Sequence, residues 1–375
     1  MKKKLFHELA EKYRKEMADP PCSHFGSCGG CSLQDIPREE QLRLKREYLN
    51  RIFDGICEFG PVHPAAPYRY RNRMDFVTAF GKIGLRRAGD YRTVIDIESC
   101  EIMQERSNEL FQKIRPLLAG IDYHDYLTHE GYLRYVVLRQ GRFTGDLMLN
   151  FVVAERDNRL RDAIEQIYDH ADSISLLLNE GKADLSFGEV IEVVKKGTIE
   201  ESLDGIRYII APNTFFQANS EITLAMYRRI KEEVRGTVLD LYAGVGGITL
   251  FIADSCERVT GVESLPESVT LAEENRLRNG IGNADFVCAD ARAFVREAGP
   301  YDTVVLDPPR TGVHPKMIKH LNRIGAGRII YMSCNPASFK EDLLALTGYT
   351  VEFLEAYDMF PQTPHLETLA VLRRV

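Results

Sequence analysis

Cys334 follows an apolar run, Ile330, Tyr331, Met332 and Ser333, that the pair Asn335-Pro336 brings to a stop. A run of this length ended by a breaker reads as a buried strand. The thiol then stands at the strand's carboxyl end, where open α/β sheets build their sites. A thiol in that place suits covalent catalysis; the plain alternative is a small apolar residue filling the core. Near the C-terminus, Glu367 in the stretch His365-Leu366-Glu367-Thr368 enters a terminal strand over 369–372 and brings a carboxylate to the same edge. Other cysteines are spaced differently. Cys22, Cys28 and Cys31 fall within ten residues, among glycines that allow tight turns. Thiols this close can converge on one inorganic centre. A fourth is needed, with Cys100 the better candidate and Cys57 its competitor. Zinc accepts four thiolates too, but its usual pair of short Cys-x-x-Cys knuckles is missing, and the spacing favours an iron–sulfur cluster.

The elements that must position these groups repeat strand, turn and helix from residue 237 onward. A strand over 237–242 leads into the turn Ala243-Gly244-Val245-Gly246-Gly247. Glycines there let the backbone approach a ligand closely, and the following helix end favours electronegative groups. The third glycine of the dinucleotide fingerprint would fall on Thr249, so the nicotinamide pattern fails. Glu263 ends the next strand, over 258–263, where a carboxylate can accept both ribose hydroxyls. Asp290 is read as ending the strand after that, facing an adenine edge. A glycine turn and two acids on successive strands resemble the S-adenosylmethionine site of class I methyltransferases. The fourth strand delivers Asp307-Pro308-Pro309-Arg310. This is similar to a tetrapeptide of methyltransferases acting on exocyclic amines, with Arg310 where those carry a stacking aromatic. Upstream, Asn213 and Gln217 flank Phe215 and Phe216 before a helix over 220–234; they could cover a ligand or cap that helix.

The first half reads as supporting structure. An amphipathic helix is expected over 1–20, with Leu5, Leu9 and Tyr13 on one face and Asp19-Pro20-Pro21 ending it. A charged helix over 37–55 precedes a linker marked by Pro61, Pro64 and Pro67. Tyr68, Tyr70, Arg69, Arg71 and Arg73 then interleave aromatics with arginines, and Arg86-Arg87 follows a glycine turn. Such interleaving suits RNA, where arginine meets phosphate and aromatics meet unstacked bases; a solvated edge strand explains it as well. From 74 to 210, β patterns at 136–138, 147–153, 175–178, 190–194 and 206–210 alternate with helical stretches near 101–118 and 157–170, an α+β region.

Composition bounds the partners. The length of 375 residues allows two or three domains, and a charged share of 27% is that of an ordinary globular chain. The net charge of −7 rules out a basic footprint over the whole surface, leaving only local basic patches for nucleic acid. No apolar run approaches a membrane span, and Lys2, Lys3 and Lys4 are not followed by the apolar core of a signal peptide. The expectation is a cytoplasmic protein, a monomer with no membrane partner.

The thiol and carboxylate fit one chemistry closely. C5 of a pyrimidine is a poor nucleophile towards a sulfonium methyl, and adding a thiolate to C6 converts the ring to an enolate that makes C5 nucleophilic. The C5 proton must then leave before the thiolate can be expelled, which needs a base. In these residues, over nearly its whole length, the chain resembles the RNA uracil-C5 methyltransferase family, which forms 5-methyluridine. The resemblance implies an α/β fold: a C-terminal Rossmann-like class I methyltransferase domain preceded by an α+β region carrying an iron–sulfur cluster. It divides the chain into a cluster-binding segment at 1–66, a central RNA-binding region at 67–211 that supplies Cys100, and an S-adenosylmethionine-dependent domain at 212–375. It assigns the nucleophile to Cys334 and the base to Glu367. Cofactor contacts map onto Gln217, Tyr242, Glu263 and Asp307, beside Gly244 and Asp290 of the crevice. Cys22, Cys28, Cys31 and Cys100 match the family's [4Fe-4S] ligands. Many members begin with an oligonucleotide-binding barrel, for which the 21 residues before Cys22 leave no room. The short form looks more like members acting on 23S rRNA, with a T-loop uridine of tRNA as the alternative. A cytosine-C5 or amino methyltransferase is a second enzymatic reading. An iron–sulfur RNA-binding protein with a degenerate methyltransferase fold is the non-enzymatic one.

Overall fold

The computed structural model describes residues 2–15 and 17–375; Met1 and Glu16, both within the helix expected over 1–20, lie outside the described residues. In chain order the first elements are α1 (Lys2–Tyr13), α2 (Arg38–Phe53), β1 (Val62–His63), β2 (Arg73–Ala79), β3 (Lys82–Arg87), β4 (Asp90–Asp96) and α3 (Glu105–Leu117). Next come β5 (Leu133–Gln140), β6 (Leu147–Val153), α4 (Arg161–Ile167), β7 (Ser173–Leu178), β8 (Glu189–Lys195), β9 (Ile199–Leu203) and β10 (Ile206–Ile210). The remainder is α5 (Ser220–Glu233), β11 (Thr237–Leu241), α6 (Gly247–Ile252), β12 (Arg258–Glu263), α7 (Pro266–Arg278), β13 (Ala284–Cys288) and α8 (Ala291–Glu297). It closes with β14 (Thr303–Leu306), α9 (Pro315–Ile324), β15 (Arg328–Ser333), α10 (Pro336–Ala345), β16 (Tyr349–Tyr357) and β17 (Glu367–Arg374).

Runs of Val, Ile and Leu in β11, β14 and β15 are buried along their length, as strands covered by helices on both faces must be. They form the centre of an eight-stranded sheet of order β1-β16-β17-β15-β14-β11-β12-β13. β11 pairs in parallel with both β12 and β14, so the chain reverses direction across the sheet there. That switch point is where such sheets open a ligand crevice beyond the strands' carboxyl ends. β17 returns antiparallel between β15 and β16. A second, seven-stranded sheet, β4-β3-β2-β5-β6-β7-β8, is built from residues 73–195 and is antiparallel except for the pair β6–β7.

Three expectations change. The helix expected over 1–20 ends at Tyr13, where Arg14 and Lys15 turn and Arg14 bonds back to Asp35 at 2.8 Å. The proline-marked stretch 61–67 contains β1, which adds a parallel strand to β16 through Val62↔Ala356 and His63↔Tyr357. Leu49, Ile52 and Phe53 of α2, with Phe59, accordingly pack into the same core as Leu239, Tyr331, Phe339 and Leu372. The Tyr68–Arg73 alternation is no edge strand: only Arg73 belongs to a strand, β2, which lies between β3 and β5, and Arg71 makes an isolated bridge to Met103. Tyr70 is buried and donates to Pro361 O at 2.9 Å, and Arg73 holds Asp75. Among the described residues no helix is long and apolar enough to cross a membrane.

Candidate active site

The sequence around Cys334 stops a strand and starts a helix with nothing between but the cysteine. Ser333 ends β15 and its hydroxyl accepts from Asn335 N at 3.1 Å. Asn335 caps α10, its side chain accepting from Ala337 N, and Pro336 occupies the first helical turn, where its missing N–H costs nothing. Asn335 Nδ2 also donates to Arg310 O at 2.9 Å, and Ser338 Oγ donates to the same carbonyl at 3.2 Å. The Ser-Cys-Asn-Pro stretch thereby ties the thiol's turn to the residue after Asp307-Pro308-Pro309.

Glu367 reaches the thiol through sheet register. β15 and β17 run antiparallel with Ser333 opposite Thr368, so Cys334 and Glu367 are the next residues out on the two strands. Burial pushes the Glu367 carboxyl well above the usual carboxylate range, Asp307 adds to the rise, and Arg310 opposes it. Burial likewise pushes the Cys334 thiol up to about 11, with the charge of Glu367 behind it and Arg310, within hydrogen-bonding reach, pulling the other way. Asp307 is lifted to about 6 by burial, offset by Gln217, whose Nε2 donates to its Oδ2 at 3.1 Å. Arg310 is therefore a cation set beside the two buried acids Glu367 and Asp307. In the sequence Arg310 stands out only as a departure from the amine-methylating tetrapeptide, and its place directly after Asp307-Pro308-Pro309 is the signal for its role.

Gln217 is held by residues that carried no motif. Asn72 Nδ2 donates to Gln217 O at 2.8 Å, and the buried Arg139 donates to Ala211 O at 2.9 Å and Thr214 O at 2.7 Å, fixing the turn before it. Burial, with Arg73 nearby, lowers the Arg139 guanidinium to about 9.

The glycine turn after β11 lies beside Asp307, because β11 pairs in parallel with β14. Tyr242 adopts a left-handed backbone (φ 69°), so β11 stops at Leu241, one residue earlier than expected. Gly244 (φ +56°) has open space where a side chain would stand, whereas a Cβ on Gly246 (φ +85°) would meet Phe286 at 2.8 Å. Open space at one glycine and close packing at the other make a shelf a ligand can rest on. Glu263 Oε2 accepts from Gly244 N at 3.1 Å, and its Oε1 accepts from Ser264 N and Leu265 N at 2.6 and 2.9 Å. The acid thus fixes the glycine turn as well as facing the crevice. Asp290 does not end a strand: β13 stops at Cys288, and Asp290 caps α8 by accepting from Ala293 N at 2.9 Å.

Cys334, Arg310 and Asn335 open onto a cleft of about 1170 Å3 whose far side is made by Phe6 and His7 of α1, the Gly29-Gly30 turn and Arg87. Arg86, also on this cleft, is committed to Asp184 and stacks over Tyr126. Cys22, Cys28, Cys31 and Cys100 line a separate small cavity walled by Phe25, Leu85, Ile97 and Ile102. Burial pushes the Cys31 thiol up to about 11 and that of Cys100 up to about 12. Cys57 lies elsewhere, in a groove with Leu346 and Tyr349. Among the described residues, no three His, Cys, Asp or Glu side chains are arranged to hold a single metal ion.

A parallel sheet with a glycine turn after β11, an acid ending β12 and a further acid after β14 defines a class I methyltransferase. Within that class the chain belongs to the RNA uracil-C5 methyltransferase family: residues 188–375 match the model of the tRNA (uracil-5-)-methyltransferase family. A tRNA (uracil(54)-C(5))-methyltransferase of Pyrococcus furiosus is 37% identical, over 94% of this chain and 85% of that one. A 23S rRNA (uracil(747)-C(5))-methyltransferase of Pyrococcus horikoshii is 35% identical over the same shares. The crystal structure of the Pyrococcus abyssi tRNA (uracil-54, C5)-methyltransferase with S-adenosyl-L-homocysteine superposes with a TM-score of 0.81 at 35% identity, covering 92% of this chain and 85% of that one.

Proposed function

We propose that this chain methylates C5 of a uridine in a structured RNA, with Cys334 as nucleophile and Glu367 as base. The observation that carries the reading is the pairing of β15 with β17, which sets the thiol beside a buried carboxyl on the wall of a cleft. S-adenosylmethionine supplies the electrophilic methyl group when bound. The crevice formed by Tyr242, Gly244, Glu263 and Asp290, with Gln217 and Asp307 at its inner end, fits it: space for a ligand at Gly244 and carboxylates on either side.

The charges of the site order the steps. The charge of Glu367 opposes a thiolate at Cys334, so the thiolate is favoured while Glu367 is neutral, and Arg310 favours it too. Cys334 gives up its proton to water in the cleft, the thiolate Sγ bonds to uracil C6, and the C5–C6 π electrons move towards C5 and O4. Once bonded to carbon the sulfur is uncharged, which removes one negative charge from beside Glu367, and the Glu367 carboxyl releases its proton to water to become the carboxylate that the next step needs. After C5 has taken the methyl group, the Glu367 carboxylate accepts the C5 proton and the S–C6 bond breaks. The target uridine must leave its stack to present C6 to a thiol in a cleft wall.

Cys22, Cys28, Cys31 and Cys100 are proposed to hold [4Fe-4S]; four thiols on one apolar cavity support this. Such a cluster ties the segment 22–31 to residue 100, and the methylation moves no net electrons, so its role here is to hold structure. The relatives include tRNA and 23S rRNA enzymes at nearly equal identity, so the test offers both RNAs. Mass-spectrometric mapping of 5-methyluridine in tRNA and 23S rRNA, with and without this protein, is expected to show one uridine gained. Methylated cytosine, or no new methylation, would overturn the reading.

A further inference from the structure

Two buried residues of α2, Lys45 and Gln41, converge on the loop that delivers Glu367, and we infer that they are positioning residues for the proton-abstraction step. The inference rests on Glu367 being the base.

The loop 358–366 joins β16 to β17, whose first residue is Glu367. It is buried where loops normally lie on the surface: Asp358, Met359, Gln362, Thr363 and Leu366 are all buried. Its backbone polar groups therefore need partners inside the protein. Lys45, itself fully buried, provides them: Nζ meets the Asp358 carboxylate, Phe360 O at 3.2 Å and His365 O at 3.1 Å. An ammonium has three donors, and these contacts use all of them. Phe360 and His365 stand at opposite ends of the loop's outer half, so one ammonium pins the bend two residues before Glu367. Arg38 holds the other oxygen of Asp358 and donates to Ala65 O at 3.0 Å.

Gln41 acts on the middle of the same loop. Its Nε2 lies 2.8 Å from Gln362 Oε1 and from the carbonyls of Leu33 and Ile36, and its Oε1 accepts from Gln362 N at 3.3 Å. Gln362 has a left-handed backbone (φ 67°), a conformation that a non-glycine residue keeps only when its surroundings impose it. Gln362 O in turn accepts from Ser32 N at 2.9 Å and Leu33 N at 3.1 Å. Ser32 directly follows Cys31. The base's loop is thus tied by two backbone bonds to the segment that carries Cys22, Cys28 and Cys31, while the turn of Cys334 is held by Ser333, Asn335 and α10 instead. A buried ion pair is weak evidence for stability, since well-packed apolar groups often replace one at no loss. Here it sets where a loop lies.

The test separates the two half-reactions in the full chain with S-adenosylmethionine and substrate RNA, following adduct formation and adduct release on denaturing gels. Lys45→Met and Gln41→Leu are expected to form adduct within about twofold of wild type and to release it on the order of tenfold more slowly, because a displaced base loses part of its effect. A folded variant that slows both steps equally, or releases adduct at the wild-type rate, would overturn the inference. Gln41→Leu decides the matter if Lys45→Met does not fold. Glu367→Gln, run alongside, reports on the base itself. If it releases adduct normally the base reading fails, whereas normal release only in the α2 variants sinks the clamp alone.

Discussion

Cys334 and the thiols of Cys28, Cys31 and Cys100 are pushed up by the same burial, yet their neighbours differ in kind. Around Cys334 stand Glu367, Asp307 and Arg310, groups that can exchange charge with it, and the thiol opens on a large cleft. The four thiols, those of Cys22, Cys28, Cys31 and Cys100, share a small cavity with one another, with the apolar Phe25, Leu85, Ile97 and Ile102, and with His24, Gln34 and Glu101. On the proposed reading, Cys334 changes its bonding in every turnover and the four thiols keep theirs. Burial alone therefore says little about what a cysteine does; the titratable groups it touches say more.

That contrast is broken most severely at Cys334 itself. Cys334→Ala is expected to abolish both covalent adduct with 5-fluorouridine RNA and methylated product, with S-adenosylmethionine binding retained by equilibrium dialysis. Product formation within an order of magnitude of wild type would remove Cys334 from the chemistry. A smaller effect comes from pH. The thiol is lifted to about 11, so its thiolate fraction rises with pH throughout the neutral and mildly alkaline range. Single-turnover adduct formation should increase about tenfold per pH unit between roughly pH 7 and 9, where less than a full proton has been lost. A flat profile there would mean the thiol ionises only after RNA binds. The structural thiols answer to composition rather than rate. Cys100→Ser should lose the iron and sulfide measured after anaerobic purification and lower the melting temperature, while Cys57→Ser, in its separate groove, should change neither. Stoichiometric zinc without sulfide would contradict the cluster.

The parallel sheet and its crevice were legible because their signals are local. The run 258–263 is β12 with the expected bounds and the glycine turn follows its strand; outside that sheet, 147–153 and 206–210 are β6 and β10 with the expected bounds. What escaped depends on distant partners. β1 is two residues long and exists only because β16 offers an edge from the far end of the chain. Lys45 and Gln41 read as part of a charged, solvated helix, and nothing near them foretells burial against Asp358 and Gln362. The arginines at 71 and 73 read as free cations, but Arg71 lies over Phe360 and donates to Arg73 O, and Arg73 is spent on Asp75. Asp290 carried the right residue type, yet a helix cap and a strand end call for the same short carboxylate, and spacing alone did not separate them.

The central claim, that thiol and carboxyl act on opposite sides of methyl transfer, is tested most directly by Glu367→Gln with RNA and S-adenosylmethionine. Turnover should fall on the order of 10²–10⁴-fold, the usual range for losing a general base. A methylated protein–RNA adduct should accumulate, stable on a denaturing gel and absent without S-adenosylmethionine. Turnover at the wild-type rate with no adduct would contradict the account and move the base to Asp307 or to a bound water.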